Sequence, residues 1–173
     1  VDVKHVPSSC IVSENGERYY QYTAIDEFSR FRYVEAFREL STYSSAVFLE
    51  HMLKAFPFKV ECVQTDNGPE FTKHYGSRNS SALTMFEKRL EEHGIRHKKI
   101  RPFTPKHNGK VERSHRKDNE YFYASHRFYS FEDFAKQLKV HNRRYNAFPM
   151  RPLGWRSPKD TLYDFLLYGV TYV

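Results

Sequence analysis

Three carboxylates stand where ordinary surface acids do not. Asp2 lies in an apolar run with Val1, Val3 and Val6. Asp66 ends a β-rich segment at the breaker Asn67-Gly68-Pro69, and Glu112 lies in the first turns of a charged helix between Lys110 and Arg113. A carboxylate at a strand position or strand end is costly to bury unless it is paired or bound to a cation. Three of them on separate elements can meet only in the folded chain, and ligands that are all oxygen suit Mg²⁺ or Mn²⁺. Each acid also has a plainer reading. Asp66 before Asn-Gly can form an Asx turn, Glu112 can pair with Arg116 one turn on, and Asp2 can be an edge-strand acid.

Around Glu112 the charge is one-sided. From 96 to 116 run Arg96, Lys98, Lys99, Arg101, Lys106, Lys110, Arg113 and Arg116, with Glu112 the single acid among them. The whole chain has 28 Lys+Arg against 21 Asp+Glu, a formal +7, which suits a polyanionic partner. Two cysteines, Cys10 and Cys62, make neither a disulfide framework nor a Cys-based zinc site, and nine histidines include no H-E-x-x-H. They read as half-buried strand thiols of a reducing compartment. No apolar run is long enough to span a membrane and no signal-peptide pattern is present, so no membrane partner is expected.

The elements that must position these acids follow from periodicity and punctuation. Val1–Val12, Arg18–Ile25 and Phe31–Phe37 read as an antiparallel meander, with turn chemistry at 13–16 and 26–29. A helix capped by Ser41 or Thr42 places Leu49, Met52, Leu53 and Phe56 on one face and ends at Pro57. Lys59–Thr65 and Ile95–Ile100 are short strands. Between them a helix at about Ser81–His93 carries Leu83, Phe86 and Leu90, with Gly94 closing it. A long helix over Gly109–Tyr123 follows, then one opened by Ser130 with Phe131, Phe134, Leu138, His141 and Tyr145 spaced for burial. Ser157-Pro158 begins a short last helix near Lys159–Phe165. This order describes an α/β fold, a mixed sheet with helices packed on it. Its 173 residues suit one domain, with a C-terminal helical segment of about 130–173 packed on the rest. Trp155 reads as packing that segment down and not as a platform on which a base stacks.

The run Thr65-Asp66-Asn67-Gly68-Pro69-Glu70-Phe71, followed by Pro105-Lys106-His107-Asn108-Gly109-Lys110-Val111-Glu112-Arg113, resembles the integrase core of insertion-sequence transposases and retroviral integrases. Val1–Lys4 is similar to the family's first strand, and Ala24–Arg30 to its second strand and turn. Tyr145-Asn146 and Arg151-Pro152 through Ser157-Pro158 resemble the C-terminal segment of bacterial transposases. The interval from Asp66 to Glu112 is longer than the retroviral one, and the polar stretch 73–81 is expected to hold the excess as a loop.

The resemblance implies a ribonuclease H-like fold with a mixed five-stranded sheet and helices on both faces. It implies that Asp2, Asp66 and Glu112 are the catalytic, metal-binding carboxylates. Asp26 is the rival first acid, but Asp-Glu-Phe-Ser is turn chemistry. Two divalent ions, Mg²⁺ or Mn²⁺, would bracket a scissile phosphate, so the implied activity is metal-dependent DNA cleavage and strand transfer. The cations then become phosphate contacts from Lys106, Asn108, Lys110, Arg113, Arg116 and Lys117. His107 and Asn67 are further substrate candidates. The implied partners are transposon-end and target DNA and further copies of the chain, since two DNA ends must be joined together. A DNA-binding region preceding the core would lie outside this chain, which reads as a piece of a longer protein. A bacterial source would place it in the cytoplasm or nucleoid. Two other readings stand beside this one: a non-catalytic relative that keeps the fold for binding, and a ribonuclease H-like nuclease that cuts without joining.

Overall fold

A computed structural model describes residues 1–12, 16–72, 83–100 and 109–169. Strand β1 (Asp2–His5) pairs antiparallel with β2 (Tyr20–Ile25), and β2 with β3 (Arg32–Phe37), in the register Asp2↔Thr23↔Val34. The expected first strand is cut short because Pro7 has no N–H to give a ladder, and a 3-10 turn, Ser8–Cys10, follows it.

Helix α1 (Thr42–Ala55) starts at Ser41, whose hydroxyl accepts from Ser44 N at 3.1 Å, and ends just before Pro57. Strand β4 (Cys62–Thr65) runs parallel to β5 (Arg96–Lys99). Between them α2 (Met85–Glu92) opens on a complete capping box, Thr84 with Glu87. Helix α3 (Gly109–Asp118) continues into a π-helical turn at Asn119–Tyr123, and α4 (Phe131–Ala147) and α5 (Pro158–Tyr168) start on the hydroxyl caps Ser130 and Ser157.

The two faces of the three-stranded sheet look onto two different cores. Tyr22 and Ala24 join Phe48, Leu49, Met52, Phe86 and Leu90 under α1 and α2. Tyr19, just before β2, and Val34 of β3 join Phe122 of the π-helical turn and Phe134 and Leu138 of α4. Helices therefore cover both faces, as expected.

The expected five-stranded mixed sheet needs correction. Among the described residues five strands are seen, as a three-stranded antiparallel sheet and a separate two-stranded parallel one. At their facing edges the Val1 amino group donates to Gln64 O at 2.6 Å, and among the described residues no strand pairing joins the two sheets. A second correction concerns Trp155. It is 70% exposed, so it does not pack the C-terminal segment down; Leu153 of the same loop is the buried residue.

Candidate active site

Asp2 and Asp66 reach the same place from the two sheets. Asp2 is the first residue of β1, opposite Thr23, and its side chain is mostly buried. Asp66 follows the last residue of β4, two positions beyond the Gln64 carbonyl that holds Val1. Burial raises the Asp66 carboxyl above its ordinary 3.8; the Gly68 N–H, donating to Oδ1 at 3.0 Å, opposes this, and the charge of Asp2 adds to it. The Asx turn weighed as the plain reading of Asp66 is therefore real, and it coexists with a second acid close enough to be felt.

The residue before Asp66 is tied by two hydrogen bonds. Thr65 Oγ1 donates to Asp66 O at 2.8 Å and lies 2.9 Å from His97 Nε2. With its hydrogen spent on the carbonyl, the Thr65 hydroxyl accepts from His97, so Nε2 carries the proton. Burial, and then the Lys99 charge, push the His97 imidazole down to about 4, leaving it neutral at ordinary pH. Asn67, expected as a substrate contact, ties the turn to β5 by donating to Ile100 O at 2.9 Å.

A fourth acid escaped the sequence reading. Glu70 is 9% exposed, and its carboxyl is raised first by burial and further by Asp66 and Asp2. It lies so close to Gly68 that a Cβ there would come within 2.6 Å of Oε2. An acid next to Pro-Phe in a breaker run gives no sign of burial; only the absence of a side chain at Gly68 makes room for it.

Helix α3 approaches from the other side. His115 Nδ1 lies 3.3 Å from Asp2 Oδ2, and its Nε2 is 3.2 Å from Thr23 Oγ1, the cross-strand neighbour of Asp2. Lys4 Nζ donates to His115 O at 3.2 Å. Glu112 stands one turn earlier on the same stripe as His115 and is exposed. The structure thus brings Asp2 and Asp66 together and sets Glu112 a turn from the ring that touches Asp2. Among the described residues no three His, Cys, Asp or Glu side chains are grouped tightly enough to hold a metal ion. Asp26 stays outside, its carboxylate accepting from Ser29 N and Oγ, both at 2.7 Å.

Of the expected DNA contacts, Arg113 and Arg116 are exposed and Lys117 is half-buried. Lys110 bends back, donating to Glu27 O at 2.7 Å with its carboxylate 3.4 Å away. Lys106, Asn108 and the candidate His107 lie outside the described residues, as does the stretch 73–81.

What fixes α3 is a buried polar cluster that the sequence does not advertise. Arg32 of β3 donates through Nη1 to both oxygens of Asp118, at 2.8 and 3.0 Å, and to Ser114 Oγ at 2.6 Å. Gln21 Nε2 donates to Asp118 Oδ2 at 2.8 Å, and His141 Nε2 lies 2.8 Å from Oδ1. The guanidinium packs 3.9 Å above the Tyr145 ring, and Asn142 and Asn146 both donate to Arg32 O. His141 and Tyr145 are half-buried and face inward, as expected; both serve this cluster, and His141 also stacks on Phe122 of the second core at 4.5 Å.

A model of the integrase core domain matches residues 1–105, and a second model with the same description matches residues 93–158. The chain belongs to the integrase core domain family. It is 28% identical over 165 residues to a protein of Spiroplasma virus SpV1-C74 named "Putative integrase ORF3", covering 80% of this chain and 44% of that protein. It is 30% identical over 111 residues to the retrovirus-related Pol polyprotein from transposon RE2 of Arabidopsis thaliana, covering 63% of this chain and 7% of the polyprotein. This integrase core thus spans less than half the length of these relatives. Its fold is shared with a chain of the simian T-cell lymphotropic virus intasome (TM-score 0.70, 17% identity, 99% of this chain and 56% of that one). It is shared too with the catalytic core domain of BIV integrase (TM-score 0.62, 17% identity, 94% and 92%). The likeness to integrase catalytic cores makes the fold ribonuclease H-like.

Proposed function

We propose that this integrase core cuts and joins DNA strands, using Mg²⁺ or Mn²⁺ held by Asp2, Asp66 and Glu112. The observation that carries the reading is the meeting of Asp2 and Asp66 where the two sheets touch, with the Glu112 helix contacting Asp2 through His115. An acid whose ionisation is made costlier by burial and by a neighbouring carboxylate, as Asp66 is, is what a hard divalent cation relieves, and the donors are all oxygen, so the residues fit such an ion. Glu112 completes the set by a movement of the first turn of α3.

Bound divalent ions would supply charge neutralisation at the phosphate and a more acidic attacking hydroxyl. The protein's share is positional. Asp2 and Asp66 fix one wall of the site, and the Asx turn keeps the Asp66 oxygens aimed by engaging Oδ1. Arg113, Arg116 and Lys117 offer charge to the DNA backbone, an affinity that carries little sequence information. In the first step a water oxygen attacks phosphorus and a strand leaves with its 3′-hydroxyl. In the second that hydroxyl attacks a target phosphate, forming one phosphodiester as another breaks. Joining two ends calls for more than one copy of the chain.

The test is a strand-transfer assay with the full-length protein, Mn²⁺ and labelled donor ends, comparing wild type with Asp66→Asn. Joined product lost in the variant supports the reading. Equal joining by the variant overturns it, and cleavage with no joining in the wild type points to a nuclease.

A further inference from the structure

Trp155, the only tryptophan in the chain, is presented by a loop built to hold it outward. Met150 N donates to Arg156 O at 2.9 Å, Trp155 N to Met150 O at 3.0 Å, and Arg156 N to Leu153 O at 3.1 Å, while buried Leu153 pins the loop to the body. Gly154 and Trp155 are both left-handed, with φ of 60° and 64°. A bulky residue adopts that conformation only where its surroundings impose it, and such sites often serve a function. The result is an indole fixed in water, with Phe148 also exposed at the other end of the segment.

Charge selects the occupant. Between positions 143 and 159 the chain has five cations and no acid. Arg143, Arg144, Arg151 and Lys159 are exposed, and Arg156 is paired with Asp164. Lys117 Nζ lies 5.9 Å from the centre of the Phe148 ring, so the cationic face of α3 runs on into this segment. Exposed aromatics among cations match a polyanion whose units are flat, because bases stack on aromatic rings while phosphates meet arginine. A second copy of the same surface would set like charge against like.

We propose that segment 148–156 docks unpaired nucleotides, one base stacking on Trp155 and its phosphates held by Arg151 and the arginines at the end of α4. The proposal rests on the reading of the chain as a DNA-handling integrase core and adds a contact for single-stranded DNA.

Because no other tryptophan is present, emission from the 173-residue chain reports on this loop alone. Titration with a short oligo-dT should quench it, with affinity falling steeply as salt rises. Trp155→Leu should weaken binding measured by oligonucleotide anisotropy about tenfold, within the range for one lost stack, and Trp155→Phe should restore most of it. Circular dichroism checks that both variants fold. Two results overturn the proposal: emission unmoved while anisotropy reports bound oligo-dT, or emission that shifts with protein concentration without DNA, which makes the loop a contact between copies. Neither touches the strand-transfer result at Asp66, so failure of this contact and failure of the catalytic reading are told apart.

Discussion

Arg32 Nη1 and Asp118 Oδ1 meet at 2.8 Å, and neither side chain is exposed to solvent. The pair joins β3 to the C-terminal end of the helix that carries Glu112 and His115. A buried pair contributes little beyond what apolar residues of equal volume would, but removing one partner leaves a lone charge in the interior. Asp118→Ala should therefore cost about 3–5 kcal/mol, seen as a lower urea midpoint. The double change Arg32→Met with Asp118→Leu should recover much of that loss. A single variant as stable as wild type would show that water reaches the site.

Stability should fall in acid in two stages. His97 is depressed from 6.5 to about 4, so the folded state resists its protonation while the unfolded chain accepts it. Stability is then full above pH 6.5 and declines as pH drops towards 4, by about 1 kcal/mol once its partial exposure is discounted. Asp118 lies well below its ordinary 3.8, chiefly through Arg32 against an opposing cost of burial. Its contribution is present above pH 3.8 and is lost below it. Urea titrations from pH 3 to 7 should show the upper stage vanish in His97→Gln while the lower one remains.

The fold was legible where local chemistry decides it. Ser41, Ser130 and Ser157 cap the helices that their hydroxyls announce, and Pro57 ends α1; α2, expected from about Ser81 with Leu83 on its buried face, instead starts after Thr84 and leaves Leu83 exposed. What could not be read are relations between distant elements. Asp118 in Arg-Lys-Asp-Asn-Glu reads like one more solvated charge, and only the facing Arg32, 86 residues earlier, makes it interior. For the candidate site the motif's resemblance pointed to Asp66 and Glu112 at once. That Lys110 would spend itself on Glu27, and that Glu70 would be buried beside Gly68, depends on backbone paths no periodicity encodes. Whether the β1 and β4 edges pair likewise decides between one sheet and two, and no pattern encodes it.

Gly68 and Glu70 should be strongly coupled. In Gly68→Ala the new Cβ would lie 2.6 Å from Glu70 Oε2, and the Glu70 side chain, 9% exposed, has little room to yield. We expect a loss of about 1–3 kcal/mol, as for other overpacked interiors. The same change on a Glu70→Ala background should cost far less, because the obstructing carboxylate is gone. A double-mutant cycle by chemical denaturation measures this; additive losses would mean that the turn moves as a whole.

Removing the charge at Asp66 should stabilise the metal-free protein. Its carboxyl is raised by burial and by Asp2, so ionisation costs more in the folded state than in the unfolded chain. Asp66→Asn should raise the melting temperature by about 1–2 °C with chelator present. Adding Mn²⁺ should reverse the order, because an ion bound only by the native wild type stabilises it in proportion to RT ln(1 + [L]/Kd). A wild type indifferent to Mn²⁺, with and without DNA, would leave the two acids as a structural pair.

His115 should act on metal through Asp2. Its ring bridges Asp2 Oδ2 and Thr23 Oγ1 without belonging to the carboxylate set, and a group that orients a ligand from behind commonly changes affinity about 10- to 100-fold when removed. His115→Ala should weaken Mn²⁺ binding by that order, read by calorimetry with DNA present. The Arg32–Asp118 cluster, which anchors the helix independently, should keep the fold intact. His115→Asn or Gln, able to donate to Asp2 again, should recover part of the affinity. If Mn²⁺ affinity is unchanged in His115→Ala while stability drops, the contact fastens α3 to β1 and does not orient Asp2.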